Sequence, residues 1–486
     1  MKTTKAILLV IVLINVLSFP IFAQKKSNTK ANDALKNQAA TTIQSGYDAY
    51  KTIALNIWDY AELGYKENKS TALLQTTLKD NGFTVEAGVA GMPTAFVATY
   101  GSGSPVIGIL AEYDALPGIS QDNSPIKTPI ASKTSGHACG HHLFGTGSVA
   151  AGIALKKLLE SGKIKGTIKV FGCPAEEGGS GKVFMVREGL FTNVDIAIHW
   201  HPSNDNSVTY SGALANKSAK FRFYGIASHA AGSPEKGRSA LDAVEAMNNM
   251  VNMMREHIPQ ETRIHYVITN GGKAPNVVPE FAEVYYYVRH PDKESAVSIF
   301  DRIVKAAQGA ALGTETKMDY EIIGGTHDLL INKTLAQNMQ TNLEKVGGVQ
   351  YTADETIFAK KIQASFLGKS ESIDFAAKVK PLHIEKSLGS TDVGDVSYTV
   401  PTVGVETATW VSGTSAHSWQ AVACGGTEIG TKGMMVAAKT MAFTAIDLFT
   451  NPELIIQAKE EFIQTKGNYQ YKALLGDIKP ALNYRD

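Results

Sequence analysis

An α/β fold in two parts is what this chain of 486 residues predicts, and three observations predict it. Apolar runs of strand length recur at 105–111, 167–172 and 194–200, and each stops at acids or histidines. Runs of that kind suit strands buried on both faces of a sheet covered by helices. Longer stretches with apolar residues at helical spacing alternate with them, which is the α/β signature. The middle of the chain reads differently, as β-α-β-β-α-β, the ferredoxin-like order.

Lys2 and Lys5 precede an apolar run from Ala6 to Phe22 that ends Ile21-Phe22-Ala23-Gln24. A basic start, an apolar centre and a small residue before the cut predict a signal peptide over 1–23, cleaved after Ala23. The chain is then exported, to a periplasm or beyond. Asn15 and Pro20 interrupt the run, which is short for a membrane span. Residues 24–44, rich in Lys, Asn, Gln, Thr and Ala, read as a mobile leader.

From 49 to 81, Tyr50, Ile53, Ile57 and Trp58 and then Leu73, Leu74 and Leu78 lie at helical spacing, and Asn81-Gly82 stops the second helix. Strands follow at 83–85 and 94–100. The run 105–111 ends at Glu112-Tyr113-Asp114, acids at the carboxyl end of a buried strand, where sites form in open α/β sheets. A polar loop over 118–135 leads to a helix that closes at Gly162, then to strands at 167–172 and 194–200. In the middle, strands are expected at 219–225, 263–270, 281–289 and 317–323, and helices at 239–257 and 291–312. The stripe Leu241, Val244, Met247, Val251 and Met254 reads as plain core. After Gly324-Gly325, helices at 332–346 and 370–377, a strand at 399–406 and a long helix at 429–449 complete the pattern. The outer domain is therefore discontinuous, 45–214 and 327–486, around an inserted domain at 215–326.

Composition is ordinary for a globular protein: 44% apolar, 19% charged, net charge +1. That excludes a disordered chain and offers no basic footprint for nucleic acid or an anionic membrane. Three cysteines, Cys139, Cys173 and Cys424, do not make a disulfide scaffold.

The chemistry gathers at strand ends. Cys139 and His141 stand two apart among glycines, so in an extended loop they point the same way. Thiolate, imidazole and carboxylate are the ligands of zinc-type ions. Glu176 and Glu177 are adjacent, so one can hold a cation while the other faces a substrate; two like charges at one place need a cation or a proton between them. His199 and His201 share a face of the next strand, and His417 lies in a polar loop between Gly413 and Trp419. Together these residues supply nitrogen, oxygen and sulfur ligands for two ions.

Five separated motifs then appear in one order: Gly-His-Ala-Cys-Gly-His at 136–141, Pro-Ala-Glu-Glu-Gly-Gly at 174–179, Ala-Ser-His-Ala-Ala at 227–231, Ala-Pro-Asn-Val-Val-Pro-Glu at 274–280, and His417. Over roughly 45–450 the chain resembles the metal-dependent amidohydrolases of peptidase family M20, subfamily D, which includes hippurate, auxin-conjugate and aminobenzoyl-glutamate hydrolases. The resemblance implies a mixed-sheet, zinc-peptidase-like catalytic domain with an inserted lid and dimerisation domain. It implies two divalent ions, Zn or Mn, held by Cys139, His141, Glu177, His199 and His417, with Glu176 as general base. It implies that His229 stabilises an oxyanion in a partner subunit's site, in a homodimer or a hetero-oligomer with a related subunit. Asn276 and Arg289 match positions that hold a substrate carboxylate, and Asp114 one that orients a ligand. His142 stands where many relatives carry Asp. His201 competes with His199, which is preferred for its spacing to Pro202.

The reaction so implied is hydrolysis of the amide bond of N-acyl or N-aroyl amino acids by a metal-activated water. The alternatives are a dipeptide peptidase of the same family, a cysteine hydrolase using Cys139, and a non-catalytic metal-containing binding protein. Chelation separates the first two from the cysteine enzyme, and turnover separates all three from the binding protein.

Overall fold

The computed structural model describes residues 30–485 apart from 369–370 and 385–387. The expected signal peptide and its cleavage after Ala23 lie outside the described residues.

The first element is a helix, α1 (30–45), where the sequence suggested a mobile leader. Ala39 and Ile43 are fully buried in the main core, and the Lys36 ammonium is held by Asn342 Oδ1 and the Asp447 carboxylate, each at 2.7 Å. An apolar stripe two residues wide among polar neighbours is too sparse to announce this docking in advance.

Helices α2 (Tyr47–Tyr60) and α3 (Asn68–Asp80) lead into strands β1 (Thr84–Ala87), β2 (Phe96–Ser102) and β3 (Val106–Glu112). A two-residue ladder of β4 (Leu116–Pro117) with β5 (Ser135–Gly136) closes the loop ahead of Cys139. Then come α4 (His141–Glu160), β6 (Gly166–Cys173), α5 (Gly181–Arg187), β7 (Ile196–Ser203) and β8 (Ser207–Thr209). The inserted part runs β9 (Ala215–Tyr224), α6 (Ala240–Met254), β10 (Arg263–Asn270), β11 (Phe281–His290), α7 (Lys293–Gly313) and β12 (Lys317–Thr326). The chain finishes with α8 (Lys333–Val346), α9 (Ala353–Gln363), α10 (Val393–Ser397), β13 (Thr402–Ala408), α11 (Trp419–Gly425), α12 (Glu428–Thr450) and α13 (Pro452–Lys466).

The expected helix at 370–377 is a 3-10 turn, Ile373–Ala377, and the helix in this region is α9, which the sequence did not mark. Only Ala359 and Ile362 of α9 are buried, so its apolar period is weak. A capping box between Thr352 and Glu355 fixes its start.

The large sheet is mixed, in the order β1-β2-β6-β3-β7-β13-β8. Its centre, β6-β3-β7-β13, is parallel, and β1, β2 and β8 are antiparallel edges. Ile107 and Ile109 face a core shared with α4, α8 and α12, while Leu110 and Phe171 face the core beneath α5 and α10. Burial on both faces explains why these strands read as unbroken apolar runs. Each such side chain stabilises the fold by ~1.5–3 kcal/mol. The carboxyl ends of all four parallel strands meet at one edge, and that edge carries the chemistry.

The smaller sheet, β10-β11-β9-β12, is antiparallel throughout. In β11 burial alternates at every residue: Ala282, Val284, Tyr286 and Val288 pack under α6 and α7, and Glu283, Tyr285, Tyr287 and Arg289 face away. One covered and one open face is the usual state of such a sheet. The final segment, 467–485, returns to the carboxyl edge of the large sheet: Tyr471 Oη donates to Asp395 at 2.8 Å and Tyr484 Oη to the Glu177 carbonyl at 3.1 Å.

Candidate metal centre

The first residue of α4 is His141, and Cys139 precedes it across Gly140. That glycine has φ +78°, and a Cβ there would lie 2.6 Å from the Pro202 Cβ. Absence of a side chain therefore lets the start of α4 meet the end of β7. Cys139 Sγ lies 3.4 Å from His201 Nε2. His201 Nδ1 lies 2.7 Å from the carbonyl of Pro202 and so carries the proton, which leaves Nε2 as a free lone pair.

Asp114, fully enclosed after β3, does two things at once. Its Oδ1 is 2.9 Å from His141 Nδ1, and its Oδ2 accepts the Glu177 backbone N–H at 2.9 Å. The first contact fixes the ring so that His141 Nε2 points into the cluster, as outer carboxylates do for ligand histidines. The second fixes the turn after β6 that carries the paired glutamates. Glu177 Oε1 lies 3.5 Å from His417 Nε2, and the His417 N–H donates to the Ala138 carbonyl at 2.9 Å, tying its loop to the cysteine stretch.

Two donor groups result, each with its ligand atoms within 4.8 Å of one another: Cys139, His141 and His201, and Cys139, Glu177 and His417. Cys139 is common to both. A third group, Glu112, His141 and Glu176, adjoins them.

His199, preferred over His201 on spacing alone, is not in any of these groups. It pairs in register with Gly404 of β13, and a Cβ at that glycine would sit 2.2 Å from its Nε2. The ring therefore lies over the neighbouring strand, buried, while His201, two residues on, clears the strand edge and meets Cys139. His142 also stays apart from the donors. Its Nε2 lies 3.0 Å from the Gly425 carbonyl and its ring 4.9 Å from that of His137.

Burial sets most protonation states, and neighbours decide the exceptions. Burial draws His142 and His199 down to about 3, and His201, beside His141, down to about 4. Burial would lower His141 too, but Cys139, Glu112 and Asp114 together raise it. Burial would raise Glu177, yet its contact with His417 and the field of His141 bring it down to about 2. Burial raises Glu176 well above the ordinary carboxylate range, with Glu112 and Glu177 adding to it. Burial and the adjacent Glu177 push the Cys139 thiol up, which disfavours the free thiolate a cysteine hydrolase needs.

The residues expected on the inserted part lie elsewhere. His229 is exposed, and its Nδ1 accepts the N–H groups of Ala231 and Gly232 in its own loop. Asn276 is exposed on the adjacent loop, where its carbonyl accepts from Ala230 at 3.0 Å. Arg289 lies half-buried over the Tyr287 ring, 5.7 Å from its centroid, with an enclosed, unpartnered Nε. Sequence reasoning passes over Lys182, Asp392, Tyr484 and Arg485, all of which brace this edge. A lysine after two glycines and a tail beyond the last apolar helix carry no periodic signal.

Residues 214–315 match the peptidase dimerisation domain of the M20 family. The chain is 41% identical to a p-aminobenzoyl-glutamate hydrolase subunit of Escherichia coli over 456 residues, 88% of this chain and 95% of that protein. It is 29% identical to the Xaa-Arg dipeptidase of Mus musculus, over 88% and 92% of the two chains. A dinuclear metal-binding peptidase from the M20 family of Bacillus subtilis shares the fold, with a TM-score of 0.54 at 16% identity over 84% of this chain and 99% of that one. The chain belongs to the M20 family of metallopeptidases and amidohydrolases, in the company of the p-aminobenzoyl-glutamate hydrolases.

Proposed function

We propose that the protein hydrolyses the amide bond of N-acyl or N-aroyl amino acids of the aminobenzoyl-glutamate kind at a centre for two divalent ions, Zn or Mn. The observation that carries this reading is the pair of donor groups sharing Cys139. The residues fit such ions. Thiol, imidazole and carboxylate are the right donor types, and His141 Nε2 and Glu177 Oε1 are buried without a hydrogen-bond partner. Cys139, His141 and His201 would hold one ion, and Cys139, Glu177 and His417 the other. Bound there, the ions would supply an acidified water and polarise the scissile carbonyl.

The remaining work belongs to the chain. Glu176, beside His141, takes the proton of the attacking water and returns it to the leaving amine. Its raised affinity for protons suits a group that must hold one between the two steps. Arg289 pairs with a carboxylate of the amino-acid half, and Asn276 assists. His229 lies on a loop of the dimerisation domain, and we place it at the oxyanion of a partner subunit's site, in a homodimer or a hetero-oligomer. The apolar run at 6–22 supports export. No helix among the described residues is long and apolar enough to cross a membrane.

A dipeptidase activity is the second reading, favoured by the 29% identity to an Xaa-Arg dipeptidase. A panel of N-acyl amino acids and Xaa-Arg dipeptides, assayed with Zn and with Mn, separates the two. Glu176→Gln is expected to abolish turnover while metal content stays at the wild-type value. Turnover that survives this change, or that is indifferent to chelation, would overturn the assignment.

A further inference from the structure

We propose that Glu112 is an additional ligand of the ion held by His141, set in place by a buried Lys182–Asp392 pair. The inference rests on the metal-centre reading above.

Glu112 ends β3 and is 1% exposed. Its Oε1 is 2.6 Å from Lys182 Nζ, and that ammonium, itself fully buried, is 2.7 Å from Asp392 Oδ1. The Lys182 N–H also donates to Asp392 Oδ2 at 2.8 Å. The arrangement occupies one oxygen of Glu112 and leaves the other, Oε2, without a hydrogen-bond partner. That free oxygen is aimed at His141 Nε2, 3.1 Å away, which also has none.

The contact needs a cation between its two atoms. His141 Nδ1–H donates a hydrogen bond to Asp114, so Nε2 carries a second proton when the ring is charged and presents a lone pair when it is neutral. A lone pair facing a carboxylate oxygen at 3.1 Å is repulsive until a proton or a metal cation comes between them. A proton would serve this one pair. A divalent ion would serve the whole neighbourhood, because the His141 ring is shared by the group with Cys139 and His201 and the group with Glu112 and Glu176. Two ligand atoms of one ion, each bound at about 2.0–2.2 Å, stand about 3–3.5 Å apart, the spacing found here.

Charge points the same way. Lys182 carries one positive charge against the two carboxylates of Glu112 and Asp392, so the buried trio keeps a net negative charge. Uncompensated buried charge is costly, and the free oxygen shows where the compensation is received. A carboxylate oxygen beside sulfur and nitrogen donors would also make this ion's site harder, favouring Mn over Zn relative to a site without it.

The test compares wild type, Glu112→Gln and Glu112→Asp, each stripped and reloaded with Zn, Mn or Co. Stoichiometry is read by mass spectrometry of the metal, affinity by chelator competition, and coordination by the visible spectrum of the Co form. Wild type should take two ions. Glu112→Gln should hold one of them about tenfold or more weaker, lose more Mn than Zn affinity, and show an altered Co spectrum. Glu112→Asp keeps the charge for Lys182 but withdraws the oxygen; it should show the same weakening, and it serves if the Gln variant does not fold. Two ions bound at wild-type affinity with an unchanged Co spectrum in a folded variant would overturn the proposal and leave Glu112 as the counter-ion of Lys182. A wild-type protein that takes no divalent ion would instead overturn the metal-centre reading itself.

Discussion

Asp114 offers the sharpest test of how the centre is built, because one buried carboxylate holds two of the candidate ligands. Its oxygens contact His141 Nδ1 and the Glu177 N–H, both at 2.9 Å. Asp114→Asn preserves the shape and replaces one acceptor by an NH2 donor. Whichever way the amide turns, one contact becomes donor against donor. Either the His141 ring loses its tautomer and direction, or the Glu177 turn loses its tether. A hydrogen bond to a charged group contributes about 1.5–3 kcal/mol. At about 1.4 kcal/mol per tenfold, Zn affinity should fall roughly 10- to 150-fold. The assay is competition with a chromogenic chelator, paired with thermal unfolding in excess chelator to show that the metal-free fold is retained. Affinity within about threefold of wild type in a folded variant would refute the claim that Asp114 orients these ligands.

Two further outcomes follow from the same geometry. His201→Ala should lose one bound ion while His199→Ala keeps both, since only His201 reaches Cys139; metal analysis of the two variants decides this, and the reverse pattern would restore His199. In the metal-free protein, stability should fall on acidification below pH ~4. Burial lowers His137, His142, His199 and His201 from the usual value near 6.5, so the unfolded chain takes their protons first. Their contribution is complete above pH ~6.5 and drains as pH falls toward about 3, at about 1.4 kcal/mol per pH unit for each group in transition. His141 is raised and acts in the opposite sense, its contribution being lost as pH rises. Burial also raises the carboxyls of Glu67, Glu112, Glu176 and Asp392, which act in the sense of His141, but below pH ~4 all five are protonated in both states, so the lowered histidines and Glu177, whose contribution is lost toward about 2, set the slope there. Urea midpoints that rise as pH falls from ~4 to ~3 would contradict this.

The parts of the fold legible in the sequence were those governed by period and burial. The parallel strands β3, β6 and β7 announce themselves because both faces are buried, and β11 because one face is. The helix α1 did not, since its contact with the core rests on few residues and a buried lysine. The candidate site was legible as a set of residue types at strand ends, and the choice within the set was not. His199 and His201 share a face in any strand, so spacing cannot separate them. What separates them is the residue opposite: the His199 ring lies over Gly404, far away in sequence, and no local pattern contains that register.

Lys182 illustrates the same limit from the side of charge. A lysine in the first turn of a short helix after a glycine-rich loop reads as a solvated cation, yet it is fully enclosed between Glu112 and Asp392. Its burial is sustainable only because two carboxylates, one from the end of β3 and one from the start of α10, converge on it. Those carboxylates would in turn be unsustainable at the foot of a site already holding Glu176 and Glu177 without it. The cation and the acids therefore specify one another, and the pairing places a free carboxylate oxygen beside His141. A sequence shows each member of such a mutual arrangement as an exception to burial rules; only the fold shows that the exceptions offset one another, and that the charge left over faces the candidate metal ligands.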